Sequence, residues 1–85
     1  MPAATVPYEE IAPQAEAALR KAIPDAAVFT ERGHLGRVRV KLIAPSLNGK
    51  TEQEKQELTW SALRAELGGA MRGVSVVIAY GTDEL

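Results

Sequence analysis

Three features of this 85-residue chain could do chemistry: the triplet Gly49-Lys50-Thr51, the single histidine His34, and a row of alternating cations. Gly49-Lys50-Thr51 ends like a phosphate-binding loop, in which backbone N–H groups and a lysine hold a nucleotide. That loop needs a glycine five residues before Gly49, and Ala44 stands there. The triplet therefore reads as a turn followed by a helix start. His34 lies in the loop Arg32-Gly33-His34-Leu35-Gly36 and reads first as a solvated side chain, with a lone metal-ligand role as the alternative. There is no cysteine, so disulfides, thiolate metal sites and thiol nucleophiles are all excluded. Glu52, Glu54 and Glu57 read as a solvated helix face, and no Ser/His/Asp arrangement accompanies them. An enzyme is not expected.

The cations are more informative. Arg32, Arg37, Arg39, Lys41 and Lys50 fall in a stretch without an acid, although the chain's net charge is −1. Arg37, Arg39, Lys41, Lys50 and Lys55 are the candidate residues for contact with nucleic acid or an acidic partner. Three or four phosphate contacts would give a log–log salt slope of roughly −3 to −4. The row lacks interleaved aromatics, and no GXXG loop of the KH type accompanies it.

The elements that must position these residues follow from periodicity. A first helix is expected to begin near Pro7–Glu10, with Pro13 pushing the start toward Glu10 or Ala12. Ile11, Ala15, Ala18, Leu19 and Ala22 form its buried stripe, Glu16 and Arg20 pair outside, and Pro24-Asp25 stops it. Ala26–Glu31 reads as a strand, joined by a glycine-bearing loop to a second strand, Arg37–Ile43. There Val38, Val40 and Leu42 alternate with the cations, so one face is core and the other charged. Thr51 and Glu54 make a capping box for a long second helix. Trp60, Leu63, Leu67 and Ala70 are expected on its sheet-facing side, with Gln56 among them, and Leu58, Ala62 and Ala65 nearly opposite. Gly68-Gly69 ends it and a short connector follows. Val74–Tyr80 is the most apolar strand and reads as central; Gly81–Leu85 reads as a tail. The fold class expected is α/β (α+β): order α-β-β-α-(α)-β, a two-layer sandwich with a three-stranded mixed sheet and a right-handed crossover. Residues 1–7 are expected to be a flexible leader and 8–85 a single domain. No run approaches the roughly 18 apolar residues of a membrane span, and the N-terminus has no secretory pattern. A cytoplasmic monomer or weak homodimer is the corresponding expectation.

Leu47, Gly49, Lys50 and Thr51, followed by Lys55, Gln56, Leu58 and Leu63, give the chain a resemblance to the BolA-like family, whose fold is related to the type II KH domain. The likeness runs from about Ala15 to Leu85 and includes Ala79-Tyr80 and the segment after it. The family's Arg-His-Arg triplet falls on Lys55, Gln56 and Glu57, so its helix histidine is replaced by Gln56, and the usual Phe before the glycine is Leu47. The resemblance implies a non-catalytic adaptor that partners a monothiol glutaredoxin in iron–sulfur cluster trafficking, or a stress-response regulator of transcription that binds DNA or RNA. It implies no cofactor in the isolated protein and a 2Fe–2S cluster shared with the glutaredoxin. His34 would be this chain's ligand, and the turn and helix residues Gly49, Lys55, Gln56 and Leu58 its partner surface. One imidazole and an amide fall short of the two ligands such a half-site uses.

Overall fold

A computed structural model describes residues 8–85; the expected leader, Pro7 included, lies outside the described residues. The elements are α1 (Tyr8–Ala22), β1 (Ala27–Arg32), β2 (Val38–Ile43), α2 (Glu52–Leu67) and β3 (Val74–Tyr80). Short 3-10 turns occupy His34–Gly36, Pro45–Leu47, Gly68–Gly73 and Thr82–Glu84. β1 runs antiparallel to β2, and β2 runs parallel to β3, in the order β1-β2-β3. Helices and sheet make the expected two-layer α/β arrangement.

The central strand is β2. The expectation that β3 is central fails because β3 pairs on one side only. Its apolarity comes from filling both faces. Val74, Val77 and Ala79 are buried, while Ile78 lies on the outer face at 36% exposure. The parallel register slips between Val38 and Arg39, which lets Val74 and Val77 both turn inward although they are three residues apart. Ser75 fills the irregularity, its hydroxyl donating to the Val38 carbonyl at 3.3 Å. In β2, Val38, Val40 and Leu42 are all buried, as the alternation predicts.

α1 contains Pro13 beyond its first turn, on the exposed side, so the helix tolerates one missing backbone donor. Its buried stripe is Ile11, Ala12, Ala15, Ala18 and Leu19; Ala22 is exposed, and Ile23 beyond the helix end takes its expected place. Glu16 and Arg20 pair at 3.0 Å. Asp25 follows as a tie: its carboxylate accepts from the Ser46 N–H at 2.9 Å and hydroxyl at 2.8 Å. Those bonds hold its carboxyl below the usual range.

α2 opens with the expected capping box. The Glu54 N–H donates to Thr51 Oγ1 at 3.1 Å, and the Thr51 N–H donates to Glu54 Oε1 at 2.8 Å. Its inner stripe differs from expectation. Lys55, Thr59, Leu63 and Leu67 are buried at steps of four, whereas Trp60 is half-buried and Ala65 exposed. Periodicity weighted by hydrophobicity overlooks this stripe because its first half is a lysine and a threonine. Each is satisfied: Thr59 Oγ1 donates to the Lys55 carbonyl at 2.9 Å, and the Lys55 ammonium meets the carboxylates of Glu52 and Glu84.

Candidate functional site

Both helices pack on one face of the sheet, and among the described residues nothing covers the other. Strand alternation and register place three rows on that outer face: Ala27–Ile43–Tyr80, Phe29–Lys41–Ile78 and Glu31–Arg39–Val76. Phe29 is 53% exposed, and the Lys41 ammonium lies 5.9 Å from its ring centroid. Phe29, Glu31, Arg39, Lys41 and Ile78 line a shallow depression of about 390 Å³. The cations of β2 thus sit in the middle strand, with an aromatic ring on one side and an aliphatic chain on the other. The expectation of a row without aromatics is corrected here. Phe29 is twelve residues from Lys41 in sequence and becomes its neighbour only through the β1–β2 register. The row is also less purely basic than its sequence suggests, because Glu31 faces Arg39 at 3.9 Å.

The five expected cations do not form one surface. Arg39 and Lys41 share the open face. Arg37, just before β2, is turned to the corner of the sheet, where its Nε donates to the Arg72 carbonyl at 3.1 Å. Lys50 is exposed in the turn that precedes α2. Lys55 is only 1% exposed and cannot contribute to a cationic surface. Its Nζ donates to Glu84 Oε1 at 2.6 Å and lies 3.4 Å from Glu52 Oε1. The hydrogen bond to Glu84 raises the Lys55 pKa above its ordinary value, against the opposing pull of burial. The same bond, helped by one from the Gly81 N–H, lowers that of Glu84.

Of the expected partner surface, Lys55 is buried, Gln56 and Leu58 are half-buried and Gly49 is exposed, each with contacts inside the chain. Gly49 takes φ +81, a left-handed conformation that suits glycine, and its N–H donates to Asp83 Oδ2 at 3.2 Å. Asn48 grips the same segment, donating from Nδ2 to Thr82 Oγ1 at 2.9 Å and accepting from the Asp83 N–H at 3.1 Å. The expected tail Gly81–Leu85 is therefore a clasp, folded back on the turn and anchored by Glu84 on Lys55. Gln56 donates to the Val77 carbonyl of β3 at 2.9 Å and accepts from Trp60 Nε1 at 3.0 Å. Leu58 is half-buried against the core. A methyl group at position 81 would come within 2.5 Å of Asn48 Oδ1 and 2.9 Å of Asn48 Cα. Gly81→Ala is accordingly expected to loosen the clasp and destabilise the fold by about 1–3 kcal/mol, read by chemical denaturation.

His34 is exposed at the β1–β2 connection. The next residue, Leu35, is 68% exposed and holds φ 59, a left-handed conformation unfavourable for a branched side chain. The chain has one histidine and no cysteine, and among the described residues no group of three or more His, Cys, Asp or Glu could hold a metal ion. With Gln56 spent on Val77 and Trp60, these residues do not fit an iron–sulfur cluster. No helix among the described residues is long and apolar enough to cross a membrane. Compared with known proteins, the chain matches no family model and no curated protein.

Proposed function

We propose that this protein is a non-catalytic binding module whose partner is nucleic acid, met by the open face of the sheet. The observation that supports this reading is the grouping of Arg39 and Lys41 with exposed Phe29 and Ile78 on a face that neither helix covers. Cations on a firm β-sheet attract phosphates, and the apolar side chains beside them gain from being covered. A role in transcription regulation is compatible with this reading. Two or three phosphate contacts, from Arg39, Lys41 and the corner residue Arg37, replace the three or four expected from sequence. Binding to a duplex probe should then weaken with salt at a log–log slope of about −2 to −3. Fluorescence anisotropy across a salt series tests this, and absence of salt-sensitive binding at low ionic strength rejects it.

A second reading is favoured by one observation, the strained and exposed Leu35 beside His34. Such a loop tip suits contact with a protein, and a glutaredoxin-type partner follows from the BolA-like resemblance. In this reading the chain is an adaptor that supplies contact surface and no cluster ligand. Leu35→Gly removes both the side chain and the strain. It should stabilise the isolated domain by roughly 1 kcal/mol while weakening capture of a monothiol glutaredoxin in titration calorimetry. Unchanged affinity would rule out this tip as the contact.

A further inference from the structure

Resting on the nucleic-acid reading of the open face, we infer that its ligand is a single strand, with a base stacked on Phe29 and phosphates held by Arg39 and Lys41. The central row of the face carries Phe29, Lys41 and Ile78 across three paired strands. Phe29 is 53% exposed at such a position, and a base stacks on its ring by displacing the Lys41 ammonium, 5.9 Å from the centroid, toward a phosphate. In a single strand the faces of the bases are free to stack on that ring. In a duplex they are hidden against one another, and only base edges and phosphates are presented. A three-stranded sheet is also wider than the helix or two-stranded ribbon that a major groove admits. A duplex would therefore use the two cations and leave Phe29 in water.

The cation geometry agrees. Arg39 and Lys41 are two residues apart on one face of β2, a step of about 6.8 Å, which suits neighbouring phosphates of an extended sugar–phosphate chain. Glu31, opposite Arg39, pairs with it only loosely at 3.9 Å, so the guanidinium can turn to a phosphate. From Arg39 the bound strand runs over the Lys41 row toward the apolar row Ala27–Ile43–Tyr80 beyond it. Tyr80 ends that row half-buried, a second ring of the same chemistry. A second copy of the chain is a poorer occupant. Two identical faces meeting about a two-fold axis would bring the Arg39 and Lys41 sets together, and like charges opposed in this way repel.

The test uses labelled oligothymidine, a hairpin duplex of equal charge and polyglutamate as probes, with fluorescence anisotropy as the readout. The intact chain should prefer oligothymidine to the duplex. Phe29→Ala should weaken oligothymidine binding by roughly 5- to 150-fold, the loss of one stacked base, and leave duplex binding nearly unchanged. Phe29→Trp should retain the preference. Because Phe29 is exposed, the thermal midpoints of both variants should match the parent, which separates lost stacking from lost folding. Equal binding of both probes with no effect of Phe29→Ala overturns the single-strand inference and leaves the nucleic-acid reading standing. Failure of both probes to bind at low salt overturns both. Preference for polyglutamate identifies an acidic protein partner instead and likewise overturns both.

Discussion

Arg39→Glu combined with Lys41→Glu is expected to abolish nucleic-acid binding at physiological salt while leaving the domain folded. Both side chains lie on the bare face of the sheet, and the one ion pair lost, Arg39 with Glu31, is solvated and loose. Exposed pairs of this kind contribute about 0–1 kcal/mol, so the unfolding midpoint should move little. Binding should respond far more strongly, because two attractive contacts become repulsive and Glu31 then adds a third negative charge to the same patch. The intermediate variant Lys41→Ala should reduce the salt slope by about 1, the signature of a single phosphate contact. As a control, Lys55→Gln should leave the salt slope unchanged, since that ammonium is buried under the clasp and has no path to a phosphate. A double reversal that binds as well as the parent would remove the open face from consideration.

Glu84→Ala is expected to produce a larger loss of stability than removal of any exposed carboxylate elsewhere in the chain. Lys55 would keep its buried place but lose its nearest anion, retaining only Glu52 at 3.4 Å. A buried cation left with a poorer partner is more damaging than an apolar side chain of similar shape in the same position. Lys55→Met in the Glu84→Ala background should therefore recover more than half of the loss. Thermal unfolding of the parent, both single variants and the double variant measures this as a coupling.

The acid limb gives the clasp a pH dependence of determined sign. Glu84 has a folded pKa below its ordinary 4.5, so its contribution is complete above that value and is lost as pH falls through the lowered one. Lys55 titrates above its ordinary 10.5, so its contribution is present below that value and is lost as pH rises through the raised one. Between these limits the difference between parent and Glu84→Ala should be flat. Below pH 4.5 the two melting curves should converge.

Local rules made much of this architecture legible in advance. The alternation Val38, Val40, Leu42 against Arg39 and Lys41 identifies the two faces of β2. The Thr51–Glu54 box locates the start of α2, and Gly68 marks its end. What escaped was every feature set by a partner distant in sequence. Lys55 looks like a surface cation until Glu84 arrives beside it. Gln56 looks like a vacant ligand position until the Val77 carbonyl receives its amide. Phe29 looks like an isolated strand residue until register places it against Lys41. The apolar pattern of Val74–Tyr80 misled because pairing, rather than hydrophobicity, decides which strand is central. The candidate site itself was therefore only half legible, its cations visible and its aromatic hidden.

The clasp also orders the folding of the chain. The hairpin of β1 and β2 closes over a five-residue loop, whereas β3 can join only after the connection through α2 has collapsed. The bonds from Asn48, Gly49 and Lys55 to residues 82–84 span 34, 34 and 29 residues, so they close longer loops than the hairpin does. On a ribosome they form only after residues 82–84 have emerged, well after β2 is complete. The buried lysine of α2 therefore gains its Glu84 partner later in synthesis than β1 and β2 gain each other.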